Sequence, residues 1–172
     1  MKTYPFTEED SRKAYDTWGA NCGPNALAFA LGVHIDKVRG VIPQFEERGY
    51  TNPTMMREAL ATCGKSIQNV RLPPRKPGRL PDIEPMFHEQ TALVRIQWEG
   101  PWTAPGANQR WAYRQTHWVT TWINDQTDFV FDVNGGARTL ESWDQEIVPL
   151  LTASIPRADG HWYPTHVWRL VK

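Results

Sequence analysis

With 172 residues and 19 basic against 19 acidic side chains, the chain is long enough for a full hydrophobic core. It has no net charge to steer it toward nucleic acid or an anionic membrane. No apolar run approaches the ~18 residues of a membrane span, and Met1 to Asp10 lacks the apolar core of a signal peptide. One soluble, cytoplasmic domain is therefore expected, without nucleic-acid or membrane partners. In that setting Cys22 and Cys63 are expected as free thiols.

Thr7 followed by Glu8, Glu9 and Asp10 reads as a helix cap with an acidic first turn, predicting a short helix from Glu8 to about Thr17. Gly19-Ala20-Asn21-Cys22-Gly23-Pro24 then makes a small-residue turn. The stretch from Cys22 to Leu31 is almost wholly apolar, as a central buried helix requires, and Gly32 is its stop. Ile35 to Val41 is expected as a brief helix ended by Pro43. Thr51-Asn52-Pro53 caps another that carries Met55, Met56, Leu60 and Ala61 before Gly64. The chain to about Gly64 thus reads as a helical half.

Beyond Gly64 the periodicity changes. Short β-branched and aromatic runs alternate with turn-formers, predicting strands at Ile67 to Arg71, Ala92 to Trp98, His117 to Ile123, Phe129 to Val133 and His166 to Val171. The whole reads as an α+β fold with a C-terminal antiparallel sheet. Asn124-Asp125-Gln126-Thr127 is a turn that makes His117 to Val133 a hairpin, with His117 expected opposite Asp132 to within about one position. Two long loops interrupt the strands. Leu72 to Pro81 is basic and proline-rich, and Glu99 to Gly106, with Trp111 after it, is aromatic.

The chemistry is concentrated at Cys22. A thiol that opens a helix feels the positive end of the helix dipole and the free N–H groups of the first turn, both of which favour the nucleophilic thiolate. Attack on a carbonyl also needs a base for the thiol proton and a third group to fix the imidazole tautomer. His117 and Asp132 supply those residue types at the ends of predicted strands.

The Asn21-Cys22-Gly23-Pro24-Asn25-Ala26-Leu27 turn, His117-Trp118-Val119, and Phe131-Asp132 before Asn134-Gly135 resemble the papain-like cysteine peptidase superfamily. The likeness is greatest to its small bacterial and phage members related to bacteriocin-processing peptidases. It spans most of the chain and implies a Cys22 nucleophile, a His117 general base and an Asp132 orienter, acting on a protein or peptide without metal or cofactor. The family's oxyanion-holding glutamine falls at Asp16 here. That leaves the Cys22 N–H, with Asn21, Tyr15 or Trp18 beside it, as donors. An ionised Asp16 would repel the oxyanion.

Nine tryptophans, five of them between Trp98 and Trp122, read either as packing or as the wall of a substrate groove, with Trp102, Trp111 and Trp118 as its candidates. Histidines 34 and 88 read as surface residues, the His161/His166 pair as too sparse for a metal site, and Cys63 as a packed thiol. Two other readings fit the same residues. One is a non-catalytic, phage-encoded protein that captures or inhibits a host protein through its tryptophan-rich loops. The other is an α+β domain in which Cys22 merely packs.

Overall fold

The computed structural model describes residues 4–74 and 82–171, so the part of the basic proline-rich loop from Arg75 to Pro81 lies outside the described residues. Thr7 caps α1 (Glu8–Trp18) through a capping box: its hydroxyl accepts the Asp10 N–H, and the Asp10 carboxylate accepts the Thr7 N–H. Gly19 ends α1 at φ 77°, a left-handed turn that sends the chain straight into α2 (Cys22–Leu31). A 3₁₀ turn (Ile35–Val38), shorter than the expected helix, α3 (Phe45–Arg48) and α4 (Pro53–Thr62) complete the helical layer. Pro53 occupies the first turn of α4, where its missing N–H costs nothing, and Asn52 caps the Met55 N–H.

Six strands follow: β1 (Ser66–Asn69), β2 (Ala92–Trp98), β3 (Thr116–Asn124), β4 (Thr127–Asp132), β5 (Gly136–Thr139) and β6 (Trp162–Val171). They form one antiparallel sheet in the order β1-β6-β2-β3-β4-β5. A short helix, α5 (Gln109–Arg114), precedes β3. Between β5 and β6 lies a second helical stretch: α6 (Leu140–Ser142), a π turn (Trp143–Ile147) and α7 (Val148–Ala153).

Side chains alternate across the strands, so the sheet separates two cores. Leu93, Trp118, Trp122, Phe131 and Trp168 pack under the N-terminal helices. Val94, Ile96, Val119, Val130 and Val167 face Trp143, Ile147 and Val148 on the other side. The helix α2 lies along β3, and the Thr120 hydroxyl donates to the Ala26 carbonyl at 2.7 Å. At its far end Phe29 stacks on Phe131 with ring centroids 4.1 Å apart, and Tyr4 and Phe6 meet Phe131 edge-on.

The observed sheet differs from the expected one at several points: it adds β5, which was not expected, and β4 runs from Thr127 to Asp132 instead of Phe129 to Val133. β6 begins at Trp162, not His166, because a register shift opposite Arg95/Ile96 accommodates Pro164, and β1 reaches β6 only from Trp168 onward. β1 runs from Ser66 to Asn69 where Ile67 to Arg71 was expected. The β3/β4 register pairs Thr120 with Phe131 and Thr121 with Val130, which carries Asp132 level with Val119.

Because Phe29 is 2% exposed and joins three aromatic neighbours, Phe29→Ala is expected to cost about 3–5 kcal/mol of stability, read by chemical denaturation.

Candidate active site

Cys22 is placed by the loop that precedes α4 as much as by its own helix. Asn21 caps α2, its side-chain oxygen accepting the Gly23 N–H, while its amide group donates to the Gly49 carbonyl at 3.0 Å. Thr51 sits where a Cβ on Gly23 would have to go, so only glycine lets this loop close on the first turn of the helix. Pro24 brings no N–H, and Gly23 has spent its own on Asn21. The Cys22 N–H is therefore the first-turn donor left facing outward from the helix end.

His117 and Asp132 come from the sheet. His117 Nε2 and Asp132 Oδ2 are 2.9 Å apart. The two are not direct cross-strand partners: with Asp132 level with Val119, His117 stands two residues along on the same face, within reach of a diagonal contact. The pairing of β3 with β4 stops at Thr120/Phe131, leaving the start of β3 open on that side. There the α2 terminus brings the Cys22 thiol within electrostatic reach of the His117 ring. With Nε2 committed to Asp132, the nitrogen facing the thiol is Nδ1.

Asp132 is wholly buried and has four donors around it. Besides His117, the Trp143 indole N–H reaches Oδ2 at 2.9 Å, and the Asn134 backbone N–H and side-chain amide reach Oδ1 at 2.9 and 3.0 Å. Burial alone would raise its pKa. The His117 charge and hydrogen bond, the Asn134 N–H and the Trp143 indole together bring it down to about 2. For His117, burial favours the neutral ring, but Asp132 and then Cys22 hold the imidazolium well above the ordinary histidine range. For Cys22, burial opposes ionisation, yet the His117 charge and hydrogen bond and the Trp118 N–H carry the thiol below its usual value. The three shifts point one way, toward a thiolate beside an imidazolium. Cys63 differs: burial pushes its thiol up, against a smaller opposing effect of Lys65.

Trp143 was not legible as part of the site. It stands in the π turn, where the Val148 N–H bonds back to the Trp143 carbonyl, just before Pro149, which has no N–H for the carbonyl of Gln145. The available signal was Thr139 ahead of Leu140-Glu141-Ser142, a capping pattern that opens this helix: the Thr139 hydroxyl accepts the Ser142 N–H.

A cleft of about 720 Å³ opens at Cys22, lined by Asn21, Thr51, Tyr113, Thr116 and Trp118 among others. A larger cavity, about 940 Å³, lies against α7 and the start of β6 and contains neither Cys22, His117 nor Asp132. The other candidate residues divide accordingly. Trp118 lines the cleft while buried at the sheet. Trp111 stands 64% exposed on α5. Trp102 belongs to packing instead, since it is buried in the opposite core and its indole donates to the Trp98 carbonyl at 2.7 Å. Neither Asp16, which is exposed, nor Trp18, whose ring packs edge-on against Phe45, lines the cleft. Of the side-chain oxyanion candidates only Asn21 does.

Outside the cleft, His34 caps the 3₁₀ turn and His88 contacts the Pro85 carbonyl. Burial, then Arg95 and Arg57, drive the His166 pKa down to about 4. Among the described residues no group of three His, Cys, Asp or Glu side chains is arranged to hold a metal ion, and no helix is long and apolar enough to cross a membrane. Compared with protein-family models, with curated proteins and with solved structures, the chain matches none.

The sign of the pH dependence follows from the shifts. With Cys22 replaced by Ser, the Asp132 charge and hydrogen bond that raise the His117 pKa remain, so the folded protein is expected to keep a proton that the unfolded chain releases above about pH 6.5. Stability from that pair is full below this pH and is lost as pH rises through the folded value. The depressed Asp132 contributes above its unfolded value and loses that contribution as pH falls through about 2. Urea unfolding of Cys22→Ser is expected to show stability declining on the alkaline side, and Asp132→Asn in the same background to abolish the decline. Trp143→Phe, which leaves a buried carboxylate short of a donor, is expected to cost about 1–3 kcal/mol in the same assay.

Proposed function

We propose that the chain is a papain-like thiol hydrolase of the cysteine-peptidase type, with Cys22 as nucleophile, His117 as general base and acid, and Asp132 as the group that fixes the imidazole. The observation that carries this reading is the buried His117–Asp132 hydrogen bond, with Cys22 at a helix N-terminus within electrostatic reach of the imidazole. Nε2 is anchored by a buried carboxylate, which leaves Nδ1 as the nitrogen free to exchange a proton with the thiol.

In this mechanism the Cys22 thiolate attacks an amide or thioester carbonyl, and the carbon–oxygen π pair moves onto oxygen. The His117 Nδ1–H then passes its proton to the departing amine or thiolate as the tetrahedral adduct collapses to an acyl-enzyme. Water, giving its proton to Nδ1, cleaves the new thioester. The Cys22 N–H is the first oxyanion donor. Asn21, with one amide proton committed to the Gly49 carbonyl, retains a second beside the cleft. Peptide hydrolysis is the default, while deamidation, isopeptide cleavage and acyl transfer use the same three residues. A binder acting through open loop tryptophans has less to work with, since Trp102 is buried and Trp111 alone of that pair stands open.

The test is the pH dependence of alkylation by iodoacetamide, with Cys22 read against Cys63 in one sample by mass spectrometry. Cys22 is expected to react well below pH 7 and faster than Cys63, and to lose that advantage in His117→Ala. A Cys22 that titrates near the ordinary thiol value of about 8.5 would refute the proposal.

A further inference from the structure

Two arginines line the Cys22 cleft, and a third, Arg95, is buried behind it against two of its lining residues. Arg95 is 3% exposed, on β2, directly across from Trp118 of β3 and on the same face as it. Its Nη2 donates to the Thr116 hydroxyl at 3.1 Å, and its guanidinium lies 4.5 Å from the centre of the Tyr113 ring. Its Nε is buried without any partner. Thr116 and Tyr113 both line the cleft, and so do Arg110 and Arg114 of α5. Among the described residues none of the three arginines forms an ion pair with a carboxylate, and none of the residues lining the cleft is acidic.

A guanidinium taken out of water is costly unless charge and hydrogen bonds compensate it. Arg95 has one hydroxyl, one aromatic face, an electrostatic neighbour in Tyr163 and an Nε without a hydrogen-bond partner. Its charge is felt at Cys22, so what it attracts lies next to the reacting sulfur. Carboxylates match a guanidinium fork in both shape and charge, and Arg110 and Arg114 add cations at the open side.

We propose that the cleft beside Cys22 is a carboxylate-binding subsite, with Arg95 as its buried floor and Arg110 and Arg114 as its rim. It would select peptide substrates that carry an anionic group close to the bond attacked. This rests on the thiol-hydrolase reading above and adds the substrate class to it. The carboxylate is that of an acidic side chain or of a free peptide C-terminus.

The experiment compares alkylation of Cys22 by iodoacetate and by iodoacetamide, which share one displacement chemistry and differ in charge. The quantity read is the ratio of the two limiting rate constants above the Cys22 pKa. The ratio is expected to fall about fivefold in the surface variant Arg110→Gln/Arg114→Gln, and further in Arg95→Met, as expected for removing screened cations near a partly dry site. An unchanged ratio in the surface double variant, which leaves the core untouched, overturns the subsite whether or not Arg95→Met folds. The same profiles yield the Cys22 pKa, so an ordinary thiol with a falling ratio sinks the catalytic reading alone, and a depressed pKa with a flat ratio sinks the subsite alone. Protection of Cys22 from iodoacetamide by a C-terminally amidated glutamate peptide assigns the site to a side chain. Protection instead by a glutamine peptide with a free C-terminus assigns it to the terminal carboxylate.

Discussion

The site depends on a carboxylate that has been taken out of water. Asp132 has no exposed surface, and an ion in that position is tolerable only if every lone pair that water served is served again. His117, Trp143 and Asn134 do this, and each belongs to a different part of the chain: the start of β3, the π turn after β5, and the bend after β4. The carboxylate therefore ties the hairpin to the C-terminal helices. It also fixes the imidazole by the nitrogen that faces away from the thiol.

Geometry makes this arrangement possible only where the sheet opens. His117 and Asp132 project from the face that carries Trp143, whereas α2 packs on the other face, against Trp118 and Thr120. A helix on one side and an imidazole on the other would be separated by the strand between them. The parting of β4 from β3 beyond Thr120 and Phe131 removes that barrier and leaves the Cys22 thiol within electrostatic reach of the imidazole. The cap by Asn21 and the close approach of Thr51 to Gly23 then hold the helix end at the gap.

Much of this was legible from local patterns. The Thr7 and Asn52 caps, the apolar run after Cys22, and the strands around Val94 and Val119 carry their signals within a few residues, and the structure places those elements within a residue or so of expectation. What stayed hidden depends on contacts distant in sequence. The hairpin register is set by Asp125 and Gln126, both at positive φ in a tight two-residue turn, and a different turn centre moves every pair. β6 starts four residues before the expected His166 and runs through Pro164, whose place at a register shift makes it admissible in a strand. Trp102 and Trp143 look alike as sequence, yet one packs under a loop and the other donates to the central carboxylate. Nothing local separates them.

A balanced composition conceals an uneven distribution of charge. The formal net charge of zero argues against any strong field around the molecule as a whole, but the cleft at Cys22 is bordered by Arg110 and Arg114 above the buried Arg95. The larger cavity against α7 is bordered by Glu99, Glu141, Asp144 and Asp159. Opposite charges gathered at separate concave sites give each a local potential that the sum over the chain cancels, and concave walls of low dielectric concentrate it. The cationic site is the one that holds the thiol. Of these arginines Arg95 also interacts electrostatically with the Cys22 sulfur, whose reactive form is itself an anion, so the charge that would draw in a carboxylate lies next to the reacting atom.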